Sequence, residues 1–269
     1  MLRSLYSGVS GLKGNQTKMD VIGNNIANVN TTAFKSGRVL FKDMLSQTIS
    51  SGQKPVSDGK GGINPKQVGL GTTVGSIDTL MEGGALQPTG RDLDLAIENE
   101  GFFVVSPDDN GDTKRYTRDG AFKFDSDGNL VNSSGLHVLD DGGSPIKLTL
   151  GDYESISIDG NGNINTLESD GTTDTPAKIG LATFENAEGL EKLGGNLYNK
   201  SNNSGEPEDV IVGDDGFGGV IRPGFLEMSN VDLANEFTEM ITTSRAYQAN
   251  SRTITTSDEM LQELINLKR

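Results

Sequence analysis

The sequence predicts an α+β protein in which long N- and C-terminal helices pack together as a coiled-coil-like layer, with a central antiparallel β domain inserted between them. Three observations predict this class. Apolar residues recur at heptad spacing in residues 229–269 and again in residues 2–29, and such a stripe needs another helix to cover it. Between about residues 69 and 226, short strand-like runs alternate with Asx-Gly turns, a pattern typical of antiparallel β-structure.

Composition limits the classes of function. A chain of 269 residues with 36 glycines, no tryptophan and 33% hydrophobic residues indicates many turns around a modest core. The net charge of -15 argues against nucleic acid or an anionic membrane surface as a partner. The absence of cysteine excludes disulfides, thiolate metal sites and cysteine nucleophiles. No run of about 18 apolar residues is present, so we predict no membrane insertion.

The N-terminal helix is predicted to begin near Leu2 and to end around Asn28, where asparagine and threonine side chains compete for backbone hydrogen bonds. Glycines at positions 8, 11, 14 and 23 weaken this helix by about 1 kcal/mol each relative to alanine. We therefore expect it to be ordered only where its apolar stripe is buried. The predicted stripe consists of Leu2, Leu5, Val9, Leu12, Gln16, Met19, Ile22, Ile26 and Val29.

The segments after this helix are less regular. Residues 38–49 mix apolar and β-branched residues, which fits either a short helix or an extended arm. Residues 51–68 are rich in Gly, Ser, Lys and Pro and are predicted to form a mobile loop. The predicted domains are 1–30 with 229–269 for the terminal helical assembly domain, 31–68 for the connecting arm and mobile loop, and 69–228 for the β-rich outer domain.

The C-terminal helix carries the most regular stripe of the chain. Ser229 and Asp232 are predicted to cap its start as a pair, and Lys268 and Arg269 lie at its end, where cations suit the helix dipole. The predicted seam consists of Leu233, Phe237, Met240, Ser244, Tyr247, Ser251, Ile254, Asp258, Leu261 and Ile265.

The two stripes predict self-assembly. A hairpin of the terminal helices covers only part of both stripes, so the surplus is best buried against other copies, and a repeated contact that does not close gives a helical filament. The polar residues Arg245, Tyr247 and Arg252 fit plain solvent exposure, but we favour a role in setting register between neighbouring subunits. The predicted assembly residues are Leu2, Leu5, Val9, Leu12, Met19, Ile22, Ile26, Leu233, Phe237, Met240, Tyr247, Ile254, Leu261 and Ile265.

No group of residues predicts catalysis. His137 is the single histidine, and a metal site or catalytic triad needs converging partners that the sequence does not supply. Residues 157–168 partly imitate a calcium loop, but flanking apolar alternation and the Asp-Gly and Asn-Gly pairs favour a hairpin turn. Residues 59–62 lack the ending and the preceding strand of a phosphate loop. We predict a non-enzyme without cofactor or metal.

Several blocks of sequence carry a family resemblance. Residues 23–35 read GNNIANVNTTAFK, and further blocks follow in residues 89–103, 116–131 and 224–231. Together they resemble the bacterial flagellar axial proteins, the family that builds the rod and the hook. The family usually has glycine or a similar residue where this chain has Ala33, so a small local backbone difference is expected there. The residues that match the family motif are Asn24, Asn25, Ala27, Asn28, Thr31, Phe34 and Lys35.

The resemblance implies a structural subunit that polymerises into a tube, with the terminal helices as its inner layer and the β domain outside. The start of the chain, residues 41–49 and the last residues look most like short hook proteins of Gram-positive bacteria. The main prediction is therefore the flagellar hook, the flexible joint that transmits motor torque to the filament. The alternative is the distal rod protein of the basal body, a drive shaft, whose length fits equally well.

Location and partners follow from the same resemblance. It implies export in an unfolded form through the flagellar type III export apparatus, without a cleavable signal peptide, to an extracellular place in the flagellum. The implied partners are other copies of the chain, the distal rod protein, the hook cap protein and the hook-filament junction protein. If residues 51–68 and the β domains shift as a hook bends, deletion of 51–68 is expected to alter curvature or bending stiffness. A lower-ranked alternative is an extracellular calcium- or carbohydrate-binding β protein that uses Asp159 to Glu168.

Overall fold

The structure is a computed structural model that describes residues 2–55, 61–149, 153–168, 172–210 and 219–267. The chain divides into two compact units. The first unit contains both terminal helices, which pack against each other, and the second contains most of the antiparallel β-structure. The predicted α+β class is therefore confirmed. The first unit comprises residues 1–27, 37–79 and 232–269, and the second comprises residues 28–36 and 80–231.

Two long helices dominate the first unit. Helix α1 spans Leu2–Ala27, and helix α2 spans Leu233–Asn266. The predicted capping pair at the start of α2 is wrong, because Asp232 alone is the N-cap and its side chain accepts from the backbone N–H groups of Ala234 and Asn235. The predicted cations at the end of this helix, positions 268 and 269, lie outside the described residues.

The first unit also contains two antiparallel strand pairs. Strand β1 (Gly37–Asp43) pairs with β4 (Thr72–Thr79), and β2 (Ser46–Ser50) pairs with β3 (Lys66–Gly69). An arm rather than a helix therefore follows α1. The described part of residues 51–68 also differs from the predicted loop, because an isolated bridge between Gln53 and Ile63 extends the second pair; residues 56–60 lie outside the described part.

The physical reason for this difference is exposure. Every residue of β2 and β3 is exposed, so neither face of the pair selects apolar side chains and the sequence shows no alternation. The backbones of β2 and β3 nevertheless pair with each other. Residues 69–79, which the sequence pattern assigns to the β-rich domain, belong to the helical unit because β4 pairs with β1.

Within its described residues, the second unit consists of short antiparallel strands in one nine-stranded sheet and three smaller sheets. The strands of this unit are β5 (Leu86–Pro88), β6 (Leu95–Glu98), β7 (Phe102–Ser106), β8 (Arg115–Thr117), β9 (Lys123–Phe124), β10 (Leu130–Val131), β11 (His137–Val138), β12 (Tyr153–Ile158), β13 (Asn163–Glu168), β14 (Thr173–Lys178), β15 (Leu181–Thr183), β16 (Glu191–Gly194), β17 (Leu197–Asn199), β18 (Glu208–Val210), β19 (Val220–Pro223) and β20 (Phe225–Glu227). The nine-stranded sheet has the order β16-β17-β8-β7-β11-β10-β9, with β15 paired to β7 and β18 paired to β15. Strands β6 and β19 form one smaller sheet, β5 and β20 another, and β12, β13 and β14 the third.

The core of the second unit lies on both faces of β7, which is buried along its whole length. Phe103 and Val105 belong to the larger apolar cluster, and Phe102 and Val104 belong to a second one. Because successive side chains of a strand point to opposite faces, one strand supplies both clusters. The ring of Phe103 packs edge-to-face on Phe122 at 5.1 Å between centroids.

The predicted Asx-Gly turns join strands as expected. In the turn after β12, the backbone N–H of Gly162 donates to Asp159 O at 2.9 Å, and β12 and β13 form a hairpin. Glu168 pairs in register with Tyr153 at the opposite end of that hairpin, so a calcium-loop geometry is not formed here. In the part of the chain that the structure describes, no helix is long and apolar enough to cross a membrane.

Candidate assembly site

The two helices of the first unit pack along small and polar residues. A Cβ on Gly8 would lie 3.2 Å from Ile254 Cγ1, and a Cβ on Gly11 would lie 2.8 Å from Asn250 Nδ2. Ser4 Oγ lies 3.5 Å from Ser257 Oγ at one end of the interface. The pairing is antiparallel, because residue numbers fall on α2 as they rise on α1.

The opposite end of this interface is held by charge and amide groups. Lys18 Nζ lies 2.5 Å from Glu239 Oε2, and Asn25 Nδ2 donates to Glu236 Oε1 at 2.9 Å. The interface positions of α1 therefore step at heptad spacing, as the sequence predicts, but on a different set of residues. The set includes Ser4, Gly8, Gly11, Lys18 and Asn25.

The predicted apolar stripe of α1 is only partly buried in this chain. Ile22 is buried, while Val9 is 40% exposed. Of the other predicted residues, Leu5, Leu12, Met19 and Ile26 are half-buried, and the side chain of Leu2 lies outside the described part. A seam of glycine and serine lets the helix axes approach closely, which an apolar seam of Leu and Met would prevent.

The predicted seam of α2 also separates into two groups. Met240, Ile254 and Leu261 are half-buried, and Tyr247 is 37% exposed. The remaining apolar members are exposed, namely Leu233, Phe237 and Ile265. A further exposed residue, Ile241, continues the row of Leu233 and Phe237 at a spacing of four. We call Leu233, Phe237 and Ile241 the free stripe of α2.

The glycines of α1 differ in what surrounds them, which predicts opposite effects of alanine. A Cβ on Gly23 would meet no atom within 4 Å, so Gly23→Ala should raise the free energy of unfolding by about 1 kcal/mol through helix propensity. Gly11→Ala should lose that gain, because its methyl group meets Asn250. Urea unfolding of both variants tests this. Equal stabilisation by the two substitutions would contradict the close helix contact.

Asn25 connects three elements of the first unit. Its side-chain oxygen accepts from Gly37 N at 3.0 Å, and its Nδ2 donates to Gly37 O and to Glu236 Oε1, each at 2.9 Å. The side chain is buried, so these bonds replace water. Burial raises the pKa of Glu236, and the hydrogen bond from Asn25 opposes that shift. The motif residue Asn25 thus fixes the end of α1 against β1 and α2.

We expect Asn25→Ala to destabilise the chain by about 2 to 4 kcal/mol, because it removes the side-chain partners of the half-buried Gly37 amide and carbonyl groups and of Glu236. Chemical denaturation measures the loss. The neighbouring motif residue Asn24 is exposed, and Asn24→Ala serves as the matched control with an expected loss under about 1 kcal/mol. A similar loss in both variants would show that Asn25 is not the connecting residue.

The motif residues after α1 lie in a turn segment, residues 28–36, that belongs to the second unit. Thr31 Oγ1 donates to Asn28 Oδ1 at 3.1 Å, and Phe34 is half-buried, with Lys192 Nζ 5.2 Å from its ring centre. Ala33 has φ of 55°, a left-handed conformation that glycine favours and that costs alanine about 1 kcal/mol. Ala27 and Asn24 are exposed at the end of α1.

Lys35 is the most deeply placed motif residue, with a side chain that is 0% exposed. Its Nζ donates to Glu82 O at 2.7 Å and to the carboxylate of Glu227. The same carboxylate oxygen accepts from Gly84 N at 2.9 Å and lies 3.5 Å from Arg118 Nη1. Burial lowers the pKa of Lys35, and the charge of Glu227 opposes that shift. Two cations and one carboxylate therefore form a buried cluster.

Sequence reasoning missed the partners of this cluster. Glu227 lies 192 residues from Lys35, and no periodic pattern joins positions so far apart. The signal available was that Glu227 belongs to one of the blocks that carry the family resemblance. With 38 acidic residues in the chain, that block alone does not say which carboxylate meets Lys35.

Two further groups of residues singled out in the sequence take no part in the contacts described above. His137 Nε2 lies 3.1 Å from Asp109 Oδ1, and among the described residues no group of three or more His, Cys, Asp or Glu is arranged to hold a metal ion. Arg245, Tyr247 and Arg252 are all exposed on α2. Their predicted role in register between subunits stays a prediction.

Comparison with known proteins identifies similar chains along the whole length. Family models match residues 5–35 (flagella basal body rod protein), 96–166 (flagellar hook protein FlgE/F/G D1 domain) and 222–267 (flagellar basal body rod FlgEFG protein C-terminal). The flagellar basal-body rod protein FlgG of Bacillus subtilis is 53% identical over 269 residues, which is 100% of both chains. FlgG of Borreliella burgdorferi is 39% identical and its flagellar hook protein FlgE is 32% identical, each over 100% of both chains.

Proposed function

Because this chain belongs to the bacterial flagellar rod and hook protein family, we propose that it is a subunit of the distal rod, the drive shaft of the basal body. It is a structural axial protein of the flagellum, in a family that polymerises. The sequence blocks by themselves favour the hook first and the distal rod second. The rod relative supports the reverse order, so the distal rod becomes the main assignment.

The observation that carries this proposal is the difference in similarity. Identity is 53% to a basal-body rod protein across an alignment of 269 residues. The alignment to the hook protein of Borreliella burgdorferi extends over 448 residues, and the identity is 32%. The chain therefore aligns with the rod protein without a long insertion, whereas the hook alignment extends well beyond its own length of 269 residues.

The exposed apolar surface of the first unit supports polymerisation. Phe237 and Ile241 are 50% and 56% exposed on α2, and Tyr6 is 72% exposed on α1. Apolar side chains this large and this regularly spaced favour burial against another protein surface. Further copies of the chain can supply that surface, since a non-closing repeated contact builds a tube.

Export and partners follow from the same proposal. The chain passes unfolded through the flagellar type III export apparatus without cleavage of a signal peptide and adds to the growing tip of the axial structure. Its neighbours are further copies of itself and the axial subunits that precede and follow it, among them the hook. The terminal helices form the inner layer of the tube and the β-rich unit the outer layer.

Electron cryo-microscopy of purified basal bodies, with a peptide label fused into an exposed turn such as residues 108–110, tests the assignment. Label along the straight segment inside the cell envelope is the expected result. Label along the curved segment outside the cell would assign the chain to the hook instead. Cells that lack the chain should build neither the straight distal segment of the rod nor the hook, whereas loss of a hook subunit would leave a complete rod.

A further inference from the structure

The covered row of α2 ends before the helix does. Among its described residues, α2 buries only Thr243 and Ser257, which are 3% and 2% exposed, and the half-buried Asn250 lies between them at heptad spacing. Leu264 follows Ser257 by one more heptad, so its side chain continues the same row. Leu264 is nevertheless 51% exposed. The cover of this row is therefore lost between Ser257, which faces Ser4 of α1, and Leu264.

Two further apolar side chains widen the uncovered end of the row into a patch. Met260 precedes Leu264 by four residues and Leu267 follows it by three, so all three lie on one side of the helix. Met260 is 48% exposed and Leu267 is 83% exposed. We call Met260, Leu264 and Leu267 the open end of α2. Large apolar side chains grouped in this way favour burial against another protein surface.

The free stripe lies near the other end of the same helix. Its members Leu233, Phe237 and Ile241 are 39%, 50% and 56% exposed. At a rise of about 1.5 Å per residue, Phe237 and Leu264 are about 40 Å apart along the helix axis. Helix α2 thus has an uncovered apolar group near each end, and the row that α1 covers lies between them.

The way in which these two groups are used decides whether assembly closes. A contact between two open ends, or between two free stripes, is isologous and stops at a dimer. A contact between the open end of one copy and the free stripe of the next leaves one group of each copy unused, so it repeats without closing. Three side chains on each partner are also far fewer than the roughly 20 to 30 residues of a stable two-protein interface. This contact is therefore suited to a repeat in which many copies support each other.

We propose that the open end of α2 docks on the free stripe of α2 in a second copy, so that one helix joins two copies head to tail. Continuity with the α1–α2 contact supports this occupant, because Leu264 extends a row that a helix already covers. Both groups contain residues spaced by four, and such rows form the ridges that pack into the grooves of a neighbouring helix. The inference rests on the proposed function, because it requires copies that polymerise, and it adds which surfaces meet.

Disulfide crosslinking tests this contact in the full chain, which has no cysteine of its own. Double variants carry one cysteine in the free stripe and one in the open end, in every combination of the two groups; Ile241→Cys with Leu264→Cys is one of them. Polymer is oxidised with copper phenanthroline and separated on a denaturing gel without reductant. A disulfide requires two Cβ atoms within about 4 Å, so at least one double variant should give a ladder of dimers, trimers and larger species. Each single variant should remain monomeric on the gel.

Thr242→Cys with Leu264→Cys is the matched control, because Thr242 is exposed beside Ile241 but lies on a different face of α2. It should give no ladder. A single variant that crosslinks to its own kind would show that two identical ends meet, and would overturn the proposal. If the chain sediments as a polymer and no double variant gives a ladder, this inference alone fails. If the unmodified chain forms no polymer, the inference and the polymer on which the proposed function rests both fail.

Discussion

Replacing Phe237 and Ile241 together by aspartate is expected to abolish polymerisation while the chain stays folded. Both side chains belong to the free stripe of α2 and are about half exposed, so in the proposed polymer another copy completes their burial. Completing that burial is worth about 1 kcal/mol for each half-covered side chain, which for the pair corresponds to about thirtyfold in the concentration required for assembly, and desolvating the two introduced carboxylates adds a further cost. Sedimentation of the purified chain over a range of concentrations measures this change.

The control for this prediction uses the same charge in the same helical turns. Thr238→Asp with Thr242→Asp places two carboxylates at neighbouring exposed positions and removes no large apolar group. This control should polymerise within about tenfold of the unmodified chain. Urea unfolding should show that both variants lose less than about 1 kcal/mol of stability. Loss of assembly in both variants would assign the effect to charge and not to the apolar stripe.

Replacing Glu227 by glutamine is expected to destabilise the chain by about 3 to 5 kcal/mol. The substitution keeps the shape of the side chain but leaves Lys35 and Arg118 buried with no negative charge between them. The loss appears as a lower midpoint of urea unfolding. The exposed pair of Lys200 and Glu206 supplies the control, because Glu206→Gln removes an ion pair at 2.8 Å in solvent and should cost less than about 1 kcal/mol.

A second variant separates charge balance from side-chain packing in this cluster. Lys35→Met removes one cation and leaves Arg118 facing Glu227 as a pair of opposite charges. Lys35→Met should therefore lower the free energy of unfolding less than Glu227→Gln does. It does so although it removes both hydrogen bonds of Lys35 Nζ, to Glu82 O and to the Glu227 carboxylate. The opposite order would show that hydrogen bonding, and not charge balance, determines the stability of this part of the second unit.

The most instructive difference between sequence and structure concerns the helix seam. Heptad spacing predicted that α1 and α2 pack together, and they do. The residues at the contact, however, include Gly8 and Gly11, which helix propensity marks only as weak points of the helix. Propensity describes a residue in isolation, whereas a small residue opposite Asn250 allows a close approach that compensates for the lost propensity.

The extended pairs of the first unit show a second limit of sequence patterns. Alternation of apolar and polar residues marks a strand with one buried face, and β2 and β3 have none. Asn25 shows a third limit of sequence patterns, because its hydrogen bonds to Gly37 and Glu236 depend on elements far apart in the chain. The motif marked the residue, while only the folded chain identified its partners.

The sequence alone determined the class of this protein: terminal helices with heptad spacing, short strands between Asx-Gly turns, and ordered blocks that resemble flagellar axial proteins. These are local properties, because period and turn chemistry depend on residues a few positions apart. Only the tertiary structure decided which face of each helix is covered and that Glu227 lies between Lys35 and Arg118. Contacts of that kind join residues distant in the chain, and in one chain with 38 acidic residues nothing local specifies which carboxylate meets which partner.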